Sequence, residues 1–468
     1  MTATQPETSR TPAPPYAAPA ARPAAARRGR WVEDWRPEDP AFWERTGARV
    51  ARRNLVLSVL SEHIGFSVWT MWSVLVLFMG PEYGVDPAQK FLLTSLPALV
   101  GAVLRVPYTF AVARFGGRNW TVASALLLLV PTVAAAVVLE PGVGSGTLLL
   151  VAALAGVGGG NFASSMANIN AFYPDRLKGW ALGLNAGGGN LGVAVVQLVG
   201  LLVLATAGAA HPRLVLGVYV PLVVLAALAS ALRMDNLATA RNDRRGMRDV
   251  AREPHTWVVS FLYVGTFGSF IGFGFAFGQV LQVQFAADFS TPAEAAALTF
   301  LGPLLGSLVR PVGGRLADRL GGARVTAWSF VLMALAAGLV LTASRAGSLA
   351  LFVTGFVALF VVSGVGNGST YKMIPAIFRA RTGLGTRHGA DAVAAEREAR
   401  RLSGALIGLA GAIGASGGVL VNLAFRQSFL ATGSGDGAYV AFLAFYAVCV
   451  LVTWAVYLRP SPRRLAGV

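Results

Sequence analysis

The chain has 468 residues, of which 55% are hydrophobic and only 13% are charged. A soluble globular domain carries about 25% charged residues, so this composition excludes an ordinary soluble protein and indicates a polytopic membrane protein. The formal net charge of +17 does not indicate nucleic-acid binding, because the basic residues lie between hydrophobic spans and not in one patch.

The first 53 residues precede the first hydrophobic span. Residues 1–30 are rich in Pro, Ala, Thr and Arg, which is typical of a disordered tail, and they lack the apolar core and cleavage site of a signal peptide. In residues 31–53, tryptophans alternate with charged residues and three arginines end the segment. This pattern favours an interfacial segment at the cytoplasmic surface of the membrane.

Twelve apolar segments follow, each about 20 residues or longer, which is enough for a helix to cross a bilayer. The predicted spans are 54–79, 91–113, 120–139, 147–172, 180–206, 213–232, 255–281, 294–317, 323–343, 348–378, 403–427 and 437–458. The loops that would face outward hold few basic residues, namely Lys90, Arg213, Arg345 and Arg426. The positive-inside rule therefore predicts a multi-pass protein of the cell membrane, plasma or inner, with both termini in the cytoplasm.

Two charged stretches on the predicted cytoplasmic side are long. The stretch at 233–254 reads as a linker between two halves, and the arginine-rich stretch at 379–401 reads as a solvated loop. The predicted organisation is a tail and interfacial segment at 1–53, a first bundle at 54–232, the linker at 233–254, a second bundle at 255–458 and a cytoplasmic tail at 459–468.

The two predicted bundles contain a sequence repeat. LPALVGAVLRVP at 96–107 aligns with LGPLLGSLVRPV at 301–312, and this alignment pairs Arg105 with Arg310. Two homologous six-helix halves place a transporter's substrate site between them, near the membrane midplane. The predicted fold is an all-α polytopic membrane protein with twelve transmembrane helices in two pseudo-symmetric six-helix bundles.

Several motifs resemble one family of transporters. GGRLADRLGG at 313–322 resembles the loop motif of the major facilitator superfamily, although its first-half copy at 111–119 lacks the acidic residue. GGGNFASSMANINAFYP at 158–174 and KGWALGLNAGGGNLG at 178–192 resemble the nitrate signature region of the NarK-type nitrate/nitrite porters. The second signature of that family resembles GLAGAIGASGG at 408–418.

This resemblance implies a secondary transporter of nitrate, nitrite or both, which works by alternating access, without a cofactor and as a monomer in the lipid bilayer. The resemblance does not decide whether the coupling mode is nitrate/proton symport or nitrate/nitrite antiport. Alternatives are a facilitator for another small anion, or a nitrate sensor that does not transport. The sequence shows no nucleophile–base pair, phosphate loop or metal cluster, and its one cysteine, Cys449, lies in the last predicted span, so neither an enzyme nor a metal site is expected.

Arg105 and Arg310 are the strongest site candidates. An arginine near the bilayer centre costs about 2.5–3.5 kcal/mol on insertion scales, and neither span offers an acidic residue to pair it. Guanidinium groups bind planar oxyanions through two parallel hydrogen bonds. The resemblance implies that this pair clamps the substrate.

Four further residues are predicted substrate contacts. Asn190 in the fifth span can donate a hydrogen bond without adding charge, although an interhelical hydrogen bond is the alternative. Tyr263 and Phe267 are four residues apart on one helix face, and Phe162 lies in the first signature. Spacing alone favours packing for these aromatic residues, whereas the resemblance implies that they line the anion site.

Glycines of the signatures are predicted to allow close packing and movement of helices, and these are Gly183, Gly187, Gly189, Gly408, Gly414 and Gly417. Glu62 and His63 in the first span are candidates for proton coupling, since an ionisable residue at that depth indicates function. The alternative is a structural role in which Glu62 pairs with His63, Lys372 or an arginine.

Overall fold

The computed structural model describes residues 30–383, 389–460, 465 and 467–468. Within these ranges, eleven helices are long and apolar enough to cross a membrane, and a bent pair of helices makes a twelfth. They are α1 (Pro40–Thr70 continuing as Trp72–Phe78), α2 (Pro87–Phe115), α3 (Gly117–Val138), α4 (Ser145–Phe172), α5 (Asp175–Ala207), α6 (Arg213–Arg233), α7 (Pro254–Gln284), α8 (Pro292–Leu320), α9 (Gly322–Arg345), α10 (Leu349–Arg381), α11 (Asp391–Thr432) and α12 (Asp436–Leu458). Residues 1–29 of the predicted tail lie outside the described residues.

Helix α1 begins earlier than the hydrophobic pattern predicts. The Asp39 side chain accepts hydrogen bonds from the backbone nitrogens of Ala41 and Phe42, and Pro40 occupies the first helical position. A side-chain cap followed by proline is a helix start that depends on polar residues and not on hydropathy. The helix then bends by 41° at Met71.

The chain around the start of α1 folds onto the first six helices. Trp35 lies edge-on to Phe172 with ring centres 5.3 Å apart, and Trp43 lies in the same way against Tyr173 at 5.6 Å. Both tryptophans are buried. The segment predicted to be interfacial is therefore partly packed against the end of α4.

A short parallel pairing joins this segment to the chain after α6. Strand β1 (Trp31–Val32) pairs with β2 (Asn236–Leu237). Next to it, Asp235 binds Arg30 at 3.1 Å and also binds Arg53. The beginning of the described chain and the end of α6 are thus tied together by backbone and ionic contacts.

Helix α11 is longer than predicted. Most of the arginine-rich stretch read as a solvated loop is helical, since α10 continues to Arg381 and α11 is helical from Asp391. Residues 391–401 are rich in Ala, Glu and Arg, which are good helix formers, and Glu396 pairs with Arg400 one turn later at 2.7 Å. The hydropathy pattern assigns residues 391–401 to a loop because the exposed face of this part of α11 is charged.

The two halves meet mainly along the helix pairs α2 with α11, α5 with α8 and α1 with α7. Glycine makes one close approach possible in the second half: a methyl group at Gly417 of α11 would lie 2.7 Å from the Gly268 Cα of α7. Small residues of this kind let membrane helices approach closely enough for backbone contact.

The end of the molecule opposite the arginine-rich loops is closed between the halves. The Thr94 hydroxyl of α2 donates to the Asn422 amide oxygen of α11 at 2.9 Å. Phe91 stacks on Phe425 and Phe429 with ring centres 5.6 and 5.4 Å away. Polar and aromatic contacts together therefore seal this end, which we call the sealed end.

Candidate functional site

Arg105 lies on α2 and is fully buried. Its Cζ atom lies 4.5 Å from the ring centre of Phe162 and 5.0 Å from that of Phe267. Its Nε donates to the Gly159 carbonyl at 3.2 Å and its Nη1 to the Gly411 carbonyl at 2.7 Å. Its Nη2 is buried without a hydrogen-bond partner among the described residues. One donor on this cation is thus available to a ligand.

Arg310 occupies the equivalent repeat position on α8 and is also buried. Its Nη2 donates to the Tyr263 hydroxyl at 3.2 Å, and its Cζ lies 5.5 Å from the ring centre of Tyr371. Its Nη1 is buried without a hydrogen-bond partner in the described part of the chain. Neither arginine forms an ion pair with a described carboxylate at short range.

One aromatic stack connects the two arginines. Tyr263 and Phe267 of α7 lie nearly parallel with centres 5.2 Å apart, and Phe267 stacks on Phe162 of α4 at 6.1 Å. Arg310 contacts the stack through the Tyr263 hydroxyl, while Arg105 contacts the faces of Phe162 and Phe267. The structure therefore brings five of the six predicted substrate contacts into one buried cluster.

A local irregularity of α7 positions two of these rings. Residues Val264–Gly268 form a π-helical turn, which lies directly after Tyr263 and includes Phe267. Such single-turn insertions widen a helix locally and occur often at functional sites. The glycines in this turn accommodate close neighbours, since a methyl group at Gly268 would lie 2.6 Å from the Gly417 Cα.

Asn190, the sixth predicted contact, is buried on α5. Neither its amide nitrogen nor its amide oxygen has a hydrogen-bond partner among the described residues. It is therefore not hydrogen-bonded to either arginine. A buried amide with all its hydrogen-bonding groups unused is costly unless a ligand or water satisfies it.

Glu62 is buried on α1 and is held by two other helices. It accepts hydrogen bonds from the Ser165 hydroxyl of α4 and, at 2.6 Å, from the Asn185 amide of α5. Its second carboxyl oxygen has no hydrogen-bond partner among the described residues. A methyl group at Gly189 would collide with this carboxyl group, so the glycine makes room for it.

The alternative partners predicted for Glu62 bind elsewhere. The His63 ring nitrogen lies 3.1 Å from the Gly188 carbonyl oxygen. Lys372 binds both carboxyl oxygens of Asp318 at 2.9 Å. Neither His63 nor Lys372 therefore contacts the Glu62 carboxyl group, which uncharged donors from α4 and α5 hold instead.

Three signature glycines have close neighbours. A methyl group at Gly414 would collide with the Tyr263 ring, and one at Gly417 would meet the backbone of Gly268. Gly189 makes room for Glu62 in the same way. These three glycines lie where helices or site residues approach each other closely.

The other signature glycines are less crowded. A methyl group at Gly408 would make ordinary contact with Thr109 at 3.5 Å, and one at Gly183 or Gly187 would meet nothing within 4 Å among the described residues. The packing contact expected for Gly183 and Gly187 is thus not found, because their face of α5 points into open space.

A cavity of about 950 Å³ extends from Phe162 to the arginine-rich end of the molecule. Its walls come from α2, α4, α5 and α11 and from the chain between α6 and α7. At its mouth, Arg400 of α11 forms an ion pair with Asp175 at the start of α5. The site is therefore approached from this end, past a contact that bridges the two halves.

Arg401 ties α11 to the chain between α6 and α7. It binds Asp243 at 2.6 Å and Asp249 at 2.5 Å. Partial burial would raise the pKa of Asp243, but hydrogen bonds from the Gly246 backbone and from Arg401 outweigh burial and bring this pKa below its ordinary value. We call the ion pairs of Arg400 and Arg401 the α11 latch.

The sequence pattern predicted no role for two residues near the site, Tyr371 and Ser165. The Tyr371 ring lies 5.3 Å from the Tyr263 ring and its hydroxyl is buried without a hydrogen-bond partner among the described residues. Ser165 binds Glu62. An aromatic residue or serine in a membrane span is common, so only the tertiary contacts distinguish these two.

The fold and the site define a membrane transporter built from two six-helix halves, with a cationic site between them. The family model of the Major Facilitator Superfamily matches residues 63–385. The chain is 41% identical to the nitrate/nitrite transporter NarU of Salmonella typhimurium over 455 residues, 92% of this chain and 97% of the relative. It is 34% identical to the probable nitrate/nitrite antiporter NarK2 of Thermus thermophilus, over 93% and 98% of the two chains.

Solved structures with the same fold share little sequence with this chain. The xylose transporter XylE from E. coli, in a partially occluded inward-open conformation, matches with a TM-score of 0.63 and 11% identity, over 87% of this chain and 98% of that one. A bacterial homolog of the human lysosomal transporter Spinster matches with a TM-score of 0.61 and 16% identity, over 87% and 98%.

This chain belongs to the major facilitator superfamily and, within it, to the family of nitrate/nitrite transporters. The predicted fold class and the predicted family are both confirmed. The relatives are named as transporters and not as enzymes.

Proposed function

We propose that this protein transports nitrate and nitrite across the cell membrane by alternating access, with the anion held between Arg105 and Arg310. One observation carries the proposal: a buried guanidinium from each half contacts the same aromatic stack and keeps a donor without a described partner. A planar oxyanion offers the acceptors that such donors need. The names of the relatives support the choice of substrate.

The other site residues complete the binding cluster in this proposal. The edges of Phe162 and Phe267, which carry the positive part of the ring quadrupole, flank the flat anion. The Tyr263 hydroxyl, which accepts from Arg310, directs its own hydrogen toward the ligand. Asn190 donates its free amide hydrogens. The cluster matches a small anion better than a large solute, because a stack of three rings connects the two arginines.

Alternating access follows from the charges of the site. Two buried cations disfavour the closed arrangement of the halves, and a bound anion lowers that repulsion. The sealed end is held by Thr94 and Asn422, whereas the cavity reaches the arginine-rich end, which we place in the cytoplasm together with both termini. Rocking of residues 54–232 against 255–458, joined by the linker at 233–254, exposes the site alternately to each side.

The coupling mode is proposed in two versions that an experiment separates. In the antiport version, the repulsion between empty arginines prevents return of the unloaded carrier, so nitrate import requires nitrite export; the name of the Thermus relative supports this version. In the symport version, Glu62, with His63 beside it, takes up a proton when nitrate binds. We propose that a monomer is sufficient for either version, since the site lies within one chain.

The test is uptake of labelled nitrate into proteoliposomes, with and without internal nitrite and with an imposed pH gradient. Antiport predicts uptake that needs internal nitrite and ignores the gradient. Symport predicts uptake that follows the gradient into empty vesicles. Binding without uptake under all conditions would refute transport and favour a sensor, and equal inhibition by chloride, formate and nitrite would refute the proposed selectivity.

A further inference from the structure

A second cationic site lies far from the aromatic stack. A groove of about 520 Å³ opens between residues 48–57 of α1 and the last turn of α6. The residues that line it are Ala48, Arg49, Arg52, Arg53, Val56, Leu57 and Arg233. Four guanidinium groups thus surround one groove, and its lining contains no acidic residue.

The charges of this groove are poorly balanced within the described chain. Arg49, Arg52 and Arg233 are exposed and form no hydrogen bond or ion pair with another described residue. Arg53 binds Asp235, but its Nε is buried without a described partner, and Asp235 is already shared with Arg30. In sequence, residues 1–29 contain one acidic side chain, Glu7, so the preceding chain offers little compensation.

An apolar strip continues from the groove along the membrane-facing surface. Val56 is 59% exposed, Leu60 is 40% exposed and Leu232 is 61% exposed. Val56 and Leu60 follow the arginines toward the middle of α1, and Leu232 directly precedes Arg233 on α6. In a membrane-spanning helix, exposed apolar residues of this kind contact acyl chains, while arginines at the helix end reach the headgroup layer.

We infer that this groove binds an anionic phospholipid. The guanidinium groups of Arg49, Arg52 and Arg233 hold the phosphate, which accepts parallel hydrogen bonds from such forks, and the acyl chains lie along Val56 and Leu232. A free anion gains only the arginine contacts, whereas a lipid gains the apolar strip as well. This inference does not depend on nitrate transport, because the groove is separate from the aromatic stack.

The test uses the purified full-length protein in detergent and native mass spectrometry. Phosphatidylglycerol is compared with phosphatidylethanolamine of the same acyl chains, and inorganic phosphate serves as the soluble competitor. We expect phosphatidylglycerol to bind at least about ten-fold more tightly than phosphatidylethanolamine. Millimolar phosphate should not displace it. Equal binding of the two lipids, or full displacement by phosphate, would overturn the lipid assignment.

Variants locate the bound lipid. The triple change R49Q/R52Q/R233Q should remove the preference for phosphatidylglycerol. The control R244Q/R245Q/R248Q removes three positive charges from the exposed helix between α6 and α7. This control should retain the preference for phosphatidylglycerol. Loss of the preference in the control, or its retention in the groove variant, would overturn the assignment.

A single change guards against failure of the triple variant to insert or fold. R233Q removes one exposed arginine at the end of α6 and leaves α1 intact. We expect R233Q to weaken phosphatidylglycerol binding by about three- to five-fold, which is the contribution of one basic side chain at the membrane surface to the binding of an anionic lipid. Unchanged binding by R233Q would also overturn the assignment.

Discussion

The guanidinium of Arg105 donates a 2.7 Å hydrogen bond to the carbonyl oxygen of Gly411. This bond crosses from α2 in the first half to α11 in the second, whereas Arg310 binds Tyr263 within its own half. The two arginines are equivalent in the sequence repeat but not in their contacts. Separation of α2 from α11 would break the Arg105 bond and leave the Arg310 bond intact.

Replacing either arginine by lysine tests the anion clamp. Arg105→Lys and Arg310→Lys keep the charge but lose the planar fork, so we expect nitrate binding at least about thirty-fold weaker, as for a truncated buried charge pair. Arg324→Lys, at an exposed position on α9, is the matched control and should bind as the parent does. Nitrate affinity is measured by calorimetry on purified protein. Parental affinity in either clamp variant would contradict the clamp.

Substitutions of Gly414 and Gly411, one turn apart on α11, test whether the position of the aromatic stack matters. Gly414→Ala forces the Tyr263 ring to move, whereas a methyl group at Gly411 meets Phe162 at an ordinary 3.5 Å. We expect Gly414→Ala to lower the free energy of unfolding by about 1–3 kcal/mol and to impair nitrate uptake strongly. Gly411→Ala should remain close to the parent. Similar behaviour of the two variants would show that the position of Tyr263 does not matter for uptake.

Glu62→Gln separates a proton-coupling role from a structural one. Glutamine keeps the size of the side chain and can still bind Ser165 and Asn185, but it cannot take up a proton. If Glu62 carries the proton, uptake driven by a pH gradient is lost while exchange of nitrate for internal nitrite continues. His63→Gln provides the comparison at the adjacent position. Gradient-driven uptake that survives both changes removes these residues from the coupling mechanism.

The α11 latch is expected to restrict access to the cavity. Asp175→Asn and Arg400→Gln each remove the ion pair that bridges α5 and α11. With Ala405→Cys introduced in the cavity wall, maleimide labelling should become several-fold faster in both variants, since native Cys449 is buried. The double variant should add little to either single change.

Glu253→Gln controls for the latch experiment, because it removes the ion pair between Arg381 of α10 and Glu253, the residue before α7, at the same end of the molecule. Its labelling rate should equal that of the parent. Equal acceleration by Glu253→Gln would mean that any lost surface ion pair loosens this end, and the latch would have no special part in access.

The pH dependence of the latch follows from Asp243. Its pKa lies below the ordinary value, so its stabilising contact with Arg401 is fully present above that ordinary value and is lost only as the pH falls through the lowered pKa. Hydrogen exchange of the helix Arg244–Arg252 should therefore stay constant from about pH 8 to pH 5 once intrinsic rates are corrected. Asp243→Asn should raise the corrected exchange across that whole range. A marked increase between pH 7 and pH 5 in the parent would contradict this assignment.

The hydrophobic pattern by itself determined the number of spans and their order, because a bilayer requires long apolar helices whatever their neighbours are. Arg105 and Arg310 also stood out in the sequence, since a charge in an apolar span is costly and the repeat placed both at one level. Helix ends were less predictable. The Asp39 cap and the charged extension of α11 depend on polar residues that a hydropathy pattern counts as loop.

Only the tertiary structure decided which side chains meet. Glu62, Ser165 and Asn185 come from three helices, and each helix carries polar and small residues on more than one face. The rotation of each helix about its axis selects the partner, and the apolar pattern of a buried membrane helix does not determine that rotation. For the same reason, the bond from Arg105 to Gly411 and the ion pair of Arg400 with Asp175 emerged only when the two halves were placed against each other.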